Sequence, residues 1–227
     1  MALSLLPARR GIAPRVVPFL LFIAALALRT LLSGRSGFDA RWLYALQLAG
    51  AILALGFYRR EYSELRSGTP RLWPAASAVV LGSLVFLAWV APLPEWMRLP
   101  TESPPYVPFD SAAGTMRWDL VLLRGAGAVL VVPLMEELFW RSFLLRWIDR
   151  RDFLSVAPAT ATLFSLLASS GVFALEHDLW APAFLAGLVY AGIYRFTGNL
   201  WNAVLAHATT NLLLAVWVVQ TQSWSYW

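Results

Sequence analysis

Two adjacent carboxylates, Glu136 and Glu137, stand with Arg141 in the stretch Pro133-Leu134-Met135-Glu136-Glu137-Leu138-Phe139-Trp140-Arg141, deep inside an apolar run. A charged side chain in the hydrocarbon region of a bilayer costs at least a few kcal/mol, so such a pair needs partners and a use. On a helix Glu137 and Arg141 share a face, whereas Glu136 is turned about 100° from Glu137. Glu137 is therefore expected to pair with Arg141, leaving Glu136 to accept a proton from water. The chain has only two histidines, His177 and His207. His207 and Asn211 are four residues apart, which puts imidazole and carboxamide on one helix face. His177 closes Phe173-Ala174-Leu175-Glu176-His177, with Phe173 one turn back as a packing platform. Together these groups suit hydrolysis of an acyl bond by water. Glu136 would act as base, His177 would hold the water, and His207 with Asn211 would donate to the oxyanion.

Other chemistries fall to the inventory. All 18 basic residues are arginine, so a Ser-Lys dyad or a lysine Schiff base is impossible. With no cysteine there is neither thiol catalysis, nor a disulfide, nor a Cys-based metal site. No His-Glu-x-x-His helix or paired-aspartate motif occurs. Ser169-Ser170-Gly171 loosely resembles the serine loop of rhomboid-type proteases, but Ala168 stands where that loop has glycine.

The elements that must position these residues are apolar helices. Hydrophobic residues make up 59% of the 227 and charged ones 14%, in repeated apolar runs of about 20 residues. The expected fold is all-α, a polytopic transmembrane bundle of about seven to eight helices in one domain. Residues 1–118 would supply three spans and an external loop, and residues 119–219 the motif-bearing core. The net charge of +5 sits mostly in loops and reads as topology-setting charge, not as a nucleic-acid surface. Arg9, Arg10 and Arg15 precede the first run, Val16 to Leu32, and argue for a cytoplasmic amino end without a cleaved signal peptide.

A turn at Ser33 to Gly37 leads to a second span, Ala40 to Tyr58. Arg59, Arg60, Arg66 and Arg71 mark a cytoplasmic loop before the third, Leu72 to Ala91. Pro92 to Trp118, carrying Glu95, Glu102 and Asp110, is expected to be an irregular external cap. The fourth helix, Asp119 to Trp147, ends in a charged cytoplasmic cluster, with Arg124 and Asp119 read as an interfacial pair. Three further spans follow at Ala157 to Glu176, Ala181 to Phe196 and Leu200 to Val219. This layout carries a conflict of depth. Glu136 and His207 lie roughly 10 to 16 Å from the cytoplasmic ends of their helices, whereas an uninterrupted fifth helix carries His177 to the opposite end.

In order along the chain, Glu136-Glu137-x-x-x-Arg141, Phe173-x-x-x-His177 and His207-x-x-x-Asn211 resemble the three motifs of the CAAX-processing and bacteriocin-immunity (CPBP) intramembrane glutamic proteases. The likeness spans Leu120 to Leu214. The neighbouring Phe139-Trp140-Arg141-Ser142-Phe143 and the segment from Tyr194 to Trp201 are similar to bacterial members, especially those accompanying exosortase systems. The resemblance implies an enzyme of the bacterial inner membrane acting on a membrane-associated peptide or protein, without a metal or other cofactor. In it Glu136 is the activating base and His177 its water partner. His207 and Asn211 form the oxyanion site, and Glu137, Arg141 and Phe173 support them.

Three other readings use the same residues. A zinc ion could sit between Glu136, His177 and His207 with water as its open ligand. The protein could be a non-catalytic membrane protein that binds or shields another component, as immunity-type members of that family do. Intramembrane Glu and His also build proton relays in transporters.

Overall fold

The computed structural model describes residues 11–32, 39–66, 68–99, 105–110 and 113–227. Arg9, Arg10, the turn at Ser33 to Gly37, and Glu102 lie outside the described residues. Within them the apolar runs form seven helices: α1 (Ile12–Leu32), α2 (Leu43–Phe57), α3 (Leu72–Val90), α4 (Trp118–Asp149), α5 (Leu163–Ala174), α6 (Trp180–Thr197) and α7 (Leu200–Thr221). Five runs are long and apolar enough to cross a membrane: Ile12–Arg29, Ala40–Phe57, Leu72–Val90, Trp118–Asp149 and Leu200–Thr221. The fold is thus a polytopic helical bundle, and its outward faces carry exposed Leu, Val, Phe and Trp side chains such as Leu53, Phe57, Trp73 and Leu130.

The cap after α3 departs from the expected irregular loop. It contains a small antiparallel pair, β1 (Phe109–Asp110) with β2 (Thr115–Met116), Phe109 opposite Met116. Gly114 takes the positive φ of 66° that the reversal needs. Part of this cap docks on the α5–α6 turn: Leu99 donates its N–H to the Asp178 carbonyl at 2.7 Å, and Trp180 donates to the Trp96 carbonyl at 3.0 Å.

α4 is continuous but not uniformly α. Gly127–Val131 and Leu138–Leu144 wind as π-helix. The first stretch precedes Pro133, which has no N–H to return to the carbonyl four residues back, and Val132 bonds the Gly127 carbonyl five residues back instead. Sequence spacing alone gave no sign of either widening.

α5 corrects the expected fifth span and removes the conflict of depth. It is a 12-residue helix, about 18 Å long, too short to cross a bilayer. Residues 158–160 form a separate 3₁₀ turn, and Thr162 caps α5 by accepting from the Ser165 N–H at 3.1 Å. The Thr162 hydroxyl and N–H both bond Asp149, at 2.6 and 3.0 Å, so α5 starts beside the end of α4. From Asp149 back to Glu137 is also 12 residues, about 18 Å. α5 therefore delivers Phe173 and the turn carrying His177 to the level of the two glutamates. Trp140 and Phe173 meet there, centroids 5.6 Å apart.

Close approaches fix the remaining helices. At Gly187 of α6 an added Cβ would lie 2.8 Å from Ser170 Cβ and 3.0 Å from its Cα, so α5 and α6 touch where only glycine fits. Gly82 of α3 lies against the Ala206 backbone of α7, and its carbonyl accepts from Thr210 at 2.8 Å.

A buried ionic knot ties α1, the α2–α3 loop and α4 together. Arg15 bonds Glu64 (Nε to Oε1, 2.7 Å) and Ser142 (3.1 Å), Ser142 donates to Glu64, and Arg146 donates to the Ser142 hydroxyl at 2.8 Å. The sequence suggested Arg15 only as part of a basic flank. In the fold it is completely enclosed, and an enclosed arginine needs a carboxylate such as Glu64.

Candidate active site

A cavity of about 270 Å³ opens at the middle of α4 and is lined by Glu136 (α4), Phe173 (α5), His177 (α5–α6 turn), and His207 with Asn211 (α7). Glu137 and Arg141 sit beneath it. The structure thus gathers onto one space or its floor all seven side chains singled out in the sequence, from three helices and one turn.

Glu137 is fully buried and holds two partners with one oxygen. Arg141 Nη1 lies 3.1 Å and His207 Nδ1 2.9 Å from Glu137 Oε1. Arg141 also reaches the Gly187 carbonyl at 3.3 Å and rests over the rings of Phe173 and Tyr190, 4.7 and 5.3 Å from their centroids. The pairing of Glu137 with Arg141 matches the expected one. The bond to His207 adds a link between α4 and α7 that sequence spacing did not reveal.

The two imidazoles are held in defined orientations. His177 Nδ1 is 2.9 Å from the Phe173 carbonyl, which can only accept, so Nδ1 carries hydrogen and Nε2 of the neutral ring presents a lone pair. The His177 ring packs against Phe173 at 4.5 Å and edge-on to Trp89 at 5.5 Å. His207 stacks on Tyr190 at 4.9 Å, with 18° between planes, while its Nδ1 faces the Glu137 carboxylate. Tyr190 in turn donates to Thr210 at 2.7 Å. Asn211 donates its Nδ2–H to the Ala128 carbonyl at 2.8 Å, which leaves its carboxamide anchored to α4 at the cavity wall.

Glu136 lines the cavity and, unlike Glu137, forms no ion pair with any of the described residues. Its Oε2 is buried and makes no hydrogen bond to any of the described residues. A buried carboxylate oxygen left unmatched by protein is costly.

Residues 117–213 match the Rce1-like family model, described as type II CAAX prenyl endopeptidase Rce1-like. No curated protein and no solved structure matches the chain. The Rce1-like segment runs from the start of α4 to the middle of α7 and so contains every residue of the gathered set. The match covers 97 of the 227 residues and is a likeness of this segment.

Several lining residues were missed by sequence reasoning. Tyr190 lies on the α6 face that buries Ala183, Ala186, Gly187 and Tyr194, a stripe of small residues and tyrosines whose spacing was a usable signal. Arg124 was read as the partner of Asp119. Asp119 instead pairs with Arg117 at 2.6 Å, and Arg124 turns inward over Tyr44, 4.5 Å from the ring centroid. Among the described residues there is no group of three or more His, Asp or Glu side chains arranged to hold a metal ion.

Proposed function

We propose that the protein is an intramembrane endopeptidase of the glutamic type, which cuts a membrane-associated peptide or protein by direct attack of water. The observation that carries this reading is that Glu136, which forms no ion pair with any of the described residues, lines a cavity that His177, His207 and Asn211 also line.

In this reading Glu136 takes a proton from a water whose other hydrogen is held by the His177 Nε2 lone pair. The water oxygen bonds to the scissile carbonyl carbon, and the carbonyl π electrons move onto oxygen. His207 and Asn211 meet that oxyanion. Collapse of the tetrahedral intermediate breaks the C–N bond, and the proton held by Glu136 passes to the departing amine. Glu137 keeps Nδ1 of His207 hydrogen-bonded and its ring turned, with Arg141 neutralising the carboxylate. For Nε2 of that ring to donate to the oxyanion, His207 takes part as the imidazolium, with its Nδ1–H on Glu137.

The arginines of the α2–α3 loop and those after α4 support an inner-membrane protein with its amino end in the cytoplasm. The motif surroundings resemble those of bacterial, exosortase-accompanying proteases, which supports a bacterial setting. The proposed substrate is defined by its membrane association alone. The test is to add full-length protein in lipid vesicles to a mixture of membrane-anchored peptides and identify products by mass spectrometry. New carboxyl termini with wild type and none with Glu136→Gln or His177→Ala support the reading. Equal products from all three overturn it, and equal support of a host phenotype by Glu136→Gln would favour the non-enzymatic alternative.

A further inference from the structure

Arg124 lines the same cavity as Glu136, three turns away on α4. Twelve residues of plain α-helix would leave the two about 120° apart around the axis. The π-stretch Gly127–Val131 lies between them, and the extra residue in its wide turn takes back about 100°. Arg124, Ala128, Val132 and Glu136 consequently form one stripe along the cavity wall.

The guanidinium at the far end of that stripe has cation–π neighbours and, among the described residues, no countercharge. It lies 4.5 Å from the Tyr44 centroid and 5.6 Å from that of Tyr106. Among the described residues no carboxylate pairs with it, and its Nε is buried without a hydrogen-bond partner. Arg29 approaches the same Tyr106 ring from α1, 5.9 Å from its centroid, so two cations flank one ring. An arginine turned inward within an apolar span is matched by an anion.

We infer that Arg124 is a substrate-binding subsite for a carboxylate, which anchors a peptide at one end of the cavity while its scissile bond lies at Glu136. This deepens the endopeptidase reading and rests on it. The separation along α4 is about 18 Å, and an extended peptide advances 3.3 to 3.6 Å per residue, so the carboxylate belongs about five residues from the cleaved bond. Either a Glu side chain or a free carboxyl terminus at that distance supplies the chemistry, and the guanidinium fork accepts both.

The test measures binding as well as cleavage. Three fluorescent apolar peptides differ only at the fifth residue past a fixed Leu-Leu bond: one has Glu there with an amidated end further on, one ends there in a free carboxyl group, and one has Gln there with the amidated end. Binding to full-length Glu136→Gln protein in micelles is followed by anisotropy. One or both carboxylate peptides bind about tenfold tighter than the Gln peptide, and which of them does so identifies the source. Adding Arg124→Gln removes the difference, whereas Arg124→Lys, which keeps the charge, retains most of it. Equal binding of all three peptides, a preference that survives Arg124→Gln, or an Arg124→Lys protein that behaves as Arg124→Gln overturns the subsite. So does loss of the preference when phosphatidylglycerol is added, because the anion would then be a lipid headgroup. Discrimination in binding with no cleavage by the wild type would leave the subsite standing and sink the endopeptidase.

Discussion

His207 Nδ1 and Glu137 Oε1 lie 2.9 Å apart although 70 residues separate them in the chain. This bond joins α7 to α4 across the floor of the cavity and fixes which nitrogen of the ring points away. Removing one partner leaves the other buried charge without compensation, which costs about 3–5 kcal/mol. Glu137→Gln should therefore lower thermal stability in detergent. In the fraction that remains folded it should reduce kcat more than KM, because the ring proposed to meet the oxyanion loses its orientation. A variant with wild-type stability and kcat would show that the bond positions nothing.

The ionic knot around Arg15 predicts a response to acid. Burial pushes the Glu64 carboxyl up, but the hydrogen bonds and charge of Arg15 and the Ser142 hydroxyl outweigh it and bring the group below its ordinary value of 4.5. A depressed value means that the folded state holds the proton less tightly than the unfolded state. The stabilisation is present above pH 4.5 and is lost as pH falls through the folded value. Melting curves from pH 7 to 3 should converge for wild type and Glu64→Gln at the acid end. Parallel curves would contradict the linkage.

Gly187→Ala tests the close approach that sets α6 against α5. The added methyl meets the Ser170 Cβ and backbone Cα, neither of which is the end of a flexible chain. The helices must part, at about 1–3 kcal/mol. Because the Gly187 carbonyl also accepts from Arg141, activity should fall along with the melting temperature. An unchanged melting temperature would mean that the two helices are not packed at this point.

These predictions draw on features of unequal legibility. Glu136, Glu137 and the two histidines could be found from the sequence because ionisable groups in apolar runs are expensive and few. The i,i+4 pairing of Glu137 with Arg141 followed from helix geometry. Long-range partners did not: nothing local ties Glu137 to His207, or Arg15 to Glu64 and Ser142. Hydropathy misjudged the start of α5, because residues 157–162 are apolar enough to extend a span while Pro158 and the Thr162 cap end it. Arg124 had the same in-span signal as the glutamates and was assigned to Asp119 because the π-turn that swings it inward leaves no periodicity to read.

Metal dependence separates two mechanisms that share these residues. In the proposed glutamic mechanism carboxylate and imidazole alone activate water, so cleavage should be insensitive to chelators. Loss of activity in EDTA with recovery on adding zinc would replace the glutamic mechanism with a metal-assisted one.

The most direct test of the central claim is the single-turnover rate of peptide cleavage by wild type and by Glu136→Gln, with peptide binding measured in both. A general base is worth about 10²–10⁴ in rate, so the account predicts a fall in that range with binding retained. Cleavage by Glu136→Gln within a fewfold of wild type would contradict it.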